Sequence, residues 1–137
     1  MKKDFKHFVN KIDFRPLTIF KNSSFQETER GNFMCNTEIN GIETNCLIVI
    51  SQDNESASYS LLLSIDIEND DNEYWLNKVN DVNFNFSGSG IVCSVDEDTI
   101  WLSTAIFIED EYEEDTIITF LELAINIVPQ VVSALTD

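Results

Sequence analysis

The chain has 137 residues, 43% of them hydrophobic, and carries 25 acidic residues against eight basic ones for a net charge of −17. That length suffices for one domain whose single core needs neither disulfides nor a structural metal, and residues 1–137 are read as such a domain. So few cations exclude a phosphate-neutralising surface, so neither nucleic acid nor an anionic membrane is expected as a partner.

The charge is divided along the chain. Residues 1–30 hold seven of the eight basic residues against four acids, a net +3, whereas from residue 31 onward Lys78 stands alone against 21 acids, a net −20. Such a field attracts basic proteins or basic segments over roughly a Debye length, about 8–10 Å. The opening "MKKDFKHFVNKIDF" lacks the apolar stretch of a secretory signal, and no apolar run is long enough for a bilayer, so a soluble cytoplasmic protein is expected. Phe5, Phe8, Val9 and Ile12 recur at helical spacing with Lys6 and Lys11 off that stripe, which predicts a short amphipathic helix. "FRPLTIFKNSSFQETERGN" predicts an extended piece around Leu17 to Phe20 and a short strand around Phe25 to Arg30.

Asn40-Gly41 lies between two alternating runs in "FMCNTEINGIETNCLIVI", the strongest short-range hairpin signal. A two-residue turn pairs Ile39 with Ile42, Thr37 with Thr44 and Cys35 with Cys46. Phe33, Cys35, Thr37 and Ile39 then share one face with Ile42, Thr44, Cys46 and Ile48, and Asn36, Glu38, Glu43 and Asn45 take the wet face. The three cysteines, Cys35, Cys46 and Cys93, form no Cys-x-x-Cys and no Cys/His spacing, so neither a zinc site nor a disulfide framework is indicated. Cys35 and Cys46 would stand about 5.5 Å apart at their Cα atoms. A disulfide is possible on distance alone, but packed thiols are expected in a reducing compartment.

"SASYSLLLSIDI" alternates, with Ala57, Tyr59, Leu61, Leu63, Ile65 and Ile67 on its buried side. "ENDDNEYWLNKVNDVNF" predicts a capped helix whose apolar side is Trp75, Leu76, Val79 and Val82. After the break at "SGSG", "IVCSV" and "IWLSTAIFI" read as strands joined by the turn "DEDT". In "TIITFLELAINIVPQVVSAL" the residues Ile118, Leu121, Ile125, Val128, Val132 and Leu135 follow a 3-4-3-4-3 spacing, with further apolar residues alongside. This predicts a helix needing cover on more than one side, kinked or split at Pro129. The elements add up to an α+β fold in the order α-β-β-β-α-β-β-α, an antiparallel sheet with helices on one face.

The densest acidic stretch is "IEDEYEEDT", in which Glu109, Asp110, Glu111, Glu113, Glu114 and Asp115 fill six of seven positions. It joins the last strand to the final helix, where one acid can cap free backbone N–H groups and others oppose the helix dipole. The surplus forms a like-charged rim suited to a basic partner. Calcium binding of the EF-hand type fails at "DIENDDNEYWLN", because Asp71 replaces the required glycine and Asn77 the bidentate glutamate. There is no Gly-x-Ser-x-Gly, His7 sits in a lysine-rich helix, and "SGSG" lacks a phosphate-loop lysine. Hence no catalytic residue, no metal and no cofactor are expected. Trp101 and Phe107 lie opposite Ile100, Leu102, Ile106 and Ile108, so that strand is apolar on both faces, an excess that a subunit interface would absorb.

Together these elements give a recognisable pattern. "YWLNKVNDVNFNFSGSGIVCSVDEDTIWLSTAIFI" resembles the YbjN-like family, whose fold is similar to that of type III secretion chaperones, over residues 72–135. The resemblance implies a small, acidic, non-enzymatic protein, often a homodimer, that holds a partner polypeptide or effector client in the cytoplasm. It also implies Trp75, Val79 and Val82 as the dimer surface. Residues 16–31 and Pro129 have no counterpart in that pattern. The charge supports a second expectation, an acidic immunity protein that neutralises a basic toxin such as a nuclease.

Overall fold

The structure, a computed structural model, describes residues 26–28, 32–52, 56–109 and 114–137. Their elements are β1 (Gln26–Glu27), β2 (Phe33–Ile39), β3 (Ile42–Gln52), β4 (Ser56–Asp66), α1 (Asn72–Asn85), β5 (Val92–Asp96), β6 (Thr99–Glu109) and α2 (Glu114–Thr136). One sheet contains all the strands in the order β1-β2-β3-β4-β6-β5, and every pairing is antiparallel. The architecture is α+β. The amphipathic helix expected over residues 5–12 lies outside the described residues. Of the expected short strand near Phe25, the two-residue β1 is what the described residues contain.

The β2–β3 hairpin has the expected register, with Ile39 opposite Ile42, Thr37 opposite Thr44 and Cys35 opposite Cys46. Asn40 and Gly41 take φ values of 53° and 79°, the left-handed pair that makes a two-residue turn follow the strand twist. Nothing lies within 4 Å of where a Gly41 side chain would start, so the backbone alone demands the glycine there. Alternation then sorts the side chains. Phe33, Cys35, Ile39, Cys46, Ile48, Leu61, Leu63, Ile65, Cys93, Ile100 and Leu102 are buried on one face, together with Val79 and Val82 of α1 and Ala124, Val128, Val131, Val132 and Leu135 of α2. Both helices therefore cover this inner face. Each fully buried Leu or Ile there contributes about 1.5–3 kcal/mol.

Asp71 caps α1 by accepting a hydrogen bond from the Tyr74 N–H at 3.1 Å. The inward stripe is Trp75, Val79, Val82 and Phe86, spaced 4-3-4. Leu76 departs from the expected apolar side and is 45% exposed, because it sits about 100° round the helix from Trp75. Asn83 does something the sequence pattern did not show. Its Nδ2 donates to the Cys93 carbonyl at 2.9 Å and its Oδ1 accepts the Cys93 N–H at 2.7 Å. Cys93 belongs to the edge strand β5, and Asn83 satisfies backbone groups that would otherwise stand unpaired at that edge. Asn83→Ala should lower the unfolding free energy by about 1–2 kcal/mol in a denaturant titration. An unchanged midpoint would show that water replaces the amide at no cost.

Pro129 does not split the last helix, which runs unbroken from Glu114 to Thr136. Side chains on both sides of the proline are anchored, with Val128, Val131 and Val132 fully buried. That packing outweighs the roughly 3 kcal/mol an interior proline costs a helix. Ile118, Leu121 and Ile125, expected on the apolar side, have side chains outside the described set. The Asn40 Nδ2 donates to the Pro129 carbonyl at 2.8 Å, tying the hairpin turn to α2. Lys78, the one Lys or Arg among the described residues, donates through Nζ to the backbone oxygen of Asp137 at 2.6 Å, a favourable place for a cation at a helix C-terminus. Among the described residues, no helix is long and apolar enough to cross a membrane.

Candidate interaction surface

The outer face of the sheet carries neither described helix. Strand register arranges it in cross-strand rows. One row runs Met34, Leu47, Leu62, Ser103, Val92 from β2 to β5. Met34 is 44% and Val92 58% exposed, with Leu47 and Leu62 half-buried between them. Two residues along, about 6.7 Å further, lies a second row of Asn36, Asn45, Ser64, Trp101 and Ser94. Two residues further again, Glu38 faces Glu43, and Asp66 and Asp96 flank Thr99. All four carboxylates are exposed. The face thus grades from apolar to acidic over about 13 Å.

Like charges directly opposite each other weaken a sheet, and Glu38 stands directly opposite Glu43. More acids join at the same end. The β5–β6 turn places Glu97 and Asp98 beside the segment leading into α1, where the Asn69 N–H donates to Asp98 Oδ1 at 3.1 Å and Asn69 Nδ2 to the Glu97 carbonyl at 2.6 Å. The Ile67 N–H also donates to the Asp98 carbonyl at 2.8 Å. These bonds hold Glu97 in the left-handed region, at φ 52°. Asn69 Oδ1 is buried without a partner. Among the described residues, no three His, Cys, Asp or Glu side chains converge to hold a metal ion.

The acidic run lies where expected, between the end of β6 and the start of α2. Glu109 ends β6 opposite Ser56, and Glu114 and Asp115 begin α2. Asp110, Glu111 and Glu113 lie outside the described residues, as do the side chains of Glu109, Glu114 and Asp115. Glu109 stands at the opposite end of β6 from the Asp66–Asp96 row, about 33 Å away along the strand. Of the residues expected to form a dimer surface, Val79 and Val82 are 4% and 3% exposed and pack in this chain's own core, and Trp75 is half-buried beside them. What α1 leaves accessible is Tyr74, Leu76 and Phe84, the last 81% exposed. The Tyr74 ring meets Trp75 edge-on at 5.1 Å.

All three cysteines are free and buried. The Cys46 thiol is raised well above the ordinary range, first by its hydrogen bond with Cys35 and then by burial. The same hydrogen bond draws Cys35 downward against the effect of its burial. Cys46 holds its proton under either influence, and with 5% and 1% exposure the pair is packed core rather than a reactive site. An open depression of about 630 Å³ lies among Asn40, Pro129, Gln130, Ser133 and Asp137. Both of its hydroxyls are committed, since Ser133 Oγ donates to Asp137 Oδ2 at 2.8 Å and Thr136 Oγ1, also in the lining, donates to the Val132 carbonyl at 2.8 Å.

No protein-family model matches this chain, and no curated protein is recognisably similar to it.

Proposed function

We propose that the protein is a non-enzymatic, cytoplasmic polypeptide-binding module of the secretion-chaperone type, similar to the YbjN-like proteins, whose outer sheet face holds a partner chain. The observation that carries this reading is the graded outer face, with the Met34–Leu47–Leu62–Val92 row and, about 13 Å along the strands, Glu38 opposite Glu43 and Asp66 and Asp96 flanking Thr99. A partner segment with apolar residues on one side and lysine or arginine along a flank would bury the first row and neutralise the second. The exposed Tyr74, Leu76 and Phe84 of α1 support self-association into a homodimer through the other side of the molecule.

The field of −20 from residue 31 onward favours a second reading, an immunity protein that meets a basic toxin through the run at Glu109 to Asp115. One binding series separates the two, with a synthetic amphipathic leucine/lysine peptide as probe. Under the first reading, Leu62→Asp or Glu43→Lys with Asp66→Lys weakens binding about tenfold or more, whereas reversing Glu111, Glu113 and Glu114 leaves it within about twofold. The opposite pattern would transfer the contact to the acidic run and sink the outer-face reading.

A further inference from the structure

We infer that the outer face anchors its partner through one arginine side chain, seated on the Trp101 indole between Asp66 and Asp96. The inference rests on the outer face being the binding surface, and it names the group that the surface recognises. Strand register puts Trp101 at the centre of the β4–β6–β5 part of that face. Ser64 and Ser94 stand directly beside it on the neighbouring strands, and Thr99 and Ser103 stand two residues away along β6. All four are short, so none of them can cover an indole that is itself only half-buried.

The diagonal neighbours of Trp101 differ from one side to the other. Leu62 and Val92 lie toward the apolar row, and Asp66 and Asp96 lie on the acidic side. Diagonal pairs on a sheet face are about 7–8 Å apart, within reach of aromatic and long side chains. Asp66 and Asp96 are about 10 Å from each other, two strand spacings with Thr99 between them. Both are exposed. Lys78, the one Lys or Arg among the described residues, is committed to the backbone oxygen of Asp137, which leaves the Asp66 and Asp96 carboxylates for an incoming cation.

Arginine fits this arrangement better than lysine. Its aliphatic stem can lie along Leu62 or Val92, and its planar guanidinium stacks on an indole face. The N–H groups then point outward in the guanidinium plane, toward a carboxylate on either side. A lysine ammonium is a compact, strongly hydrated point charge and cannot stack in this way.

The probe is an amphipathic leucine peptide with a single arginine at its apolar–polar boundary, compared with the same peptide carrying citrulline, the neutral isostere, or lysine there. The full parent chain should bind the arginine peptide about tenfold or more tighter than the citrulline peptide, and about threefold or more tighter than the lysine peptide. Trp101→Leu, and separately Asp66→Asn with Asp96→Asn, should each bring the arginine-to-citrulline ratio to within about twofold. The asparagine pair replaces exposed residues at strand ends, so the ratio is read even if Trp101→Leu fails to fold. A Trp101 that only supports the sheet would lower affinity for all three peptides alike and leave the ratio intact, which overturns the proposal. So would equal binding of the arginine and lysine peptides, or binding of none. If all three bind equally and Leu62→Asp weakens them all, the outer-face reading stands and the arginine site falls. A dimeric chain that Trp101→Leu turns into a monomer would place a second copy on the face, and that too overturns the proposal.

Discussion

Leu102→Ala should lower the free energy of unfolding by about 2–5 kcal/mol. For a domain whose total stability is about 5–15 kcal/mol, that is a large fraction. Leu102 is 1% exposed and stands between Leu63 on β4 and Cys93 on β5. It belongs to an inner row that runs Cys35, Cys46, Leu63, Leu102, Cys93 across five strands, buried throughout. Truncation leaves a void between Leu63 and Cys93 in the buried core. Because the row puts a thiol at each end, the cysteines report on how the core opens. In the variant, native-state labelling of all three thiols should accelerate by a common factor of about 30 or more, the kinetic image of about 2 kcal/mol lost from one cooperative unit. Faster labelling of Cys93 alone, with an unchanged denaturation midpoint, would mean that β5 opens independently and that the row is not one core.

That row shows why the sequence yields some of this architecture and not the rest. Asn40-Gly41 fixes the hairpin register through the backbone it permits, so Cys35 opposite Cys46 follows from counting outward. The alternation in β4 and the caps of α1 are equally local. The third cysteine is different. Cys93 joins the row because β4 pairs with β6 while β5 goes to the edge, and no residue within β4 announces that partner. The acidic row has the same origin. Glu38 and Glu43 are visible as a wet face of the hairpin, but their alignment with Asp66 and Asp96 depends on pairings between strands far apart in the chain. The run from Glu109 to Asp115 is legible because it is contiguous, whereas the outer-face acids are scattered and meet only in three dimensions. Val79 and Val82 illustrate the converse. Apolar residues on a helix announce burial, but not whether this chain or a second one provides it, and here the chain's own sheet does.

The second large effect lies at alkaline pH and comes from burial at the edge strand. Cys93 is 3% exposed, and burial pushes its thiol from 9.0 up to about 11. Between those values the folded chain keeps a proton that the unfolded chain has released. The folded state thus binds more protons, and stability falls as pH rises through the window, by about 1.4 kcal/mol per pH unit for this one group. The total is about 2–3 kcal/mol between pH 9 and 11, with no further contribution from Cys93 above that range. Below pH 9 both states hold the proton and the term vanishes. Cys46, also raised, acts in the same direction. Unfolding free energies measured from pH 8 to 11 should therefore drop more steeply for the parent chain than for Cys93→Ala, which retains Cys46 and every exposed titrating group. The difference between the two curves isolates Cys93. Parallel curves would show that the Cys93 thiolate is solvated in the folded protein, and that Asn83 does not close the β5 edge to water.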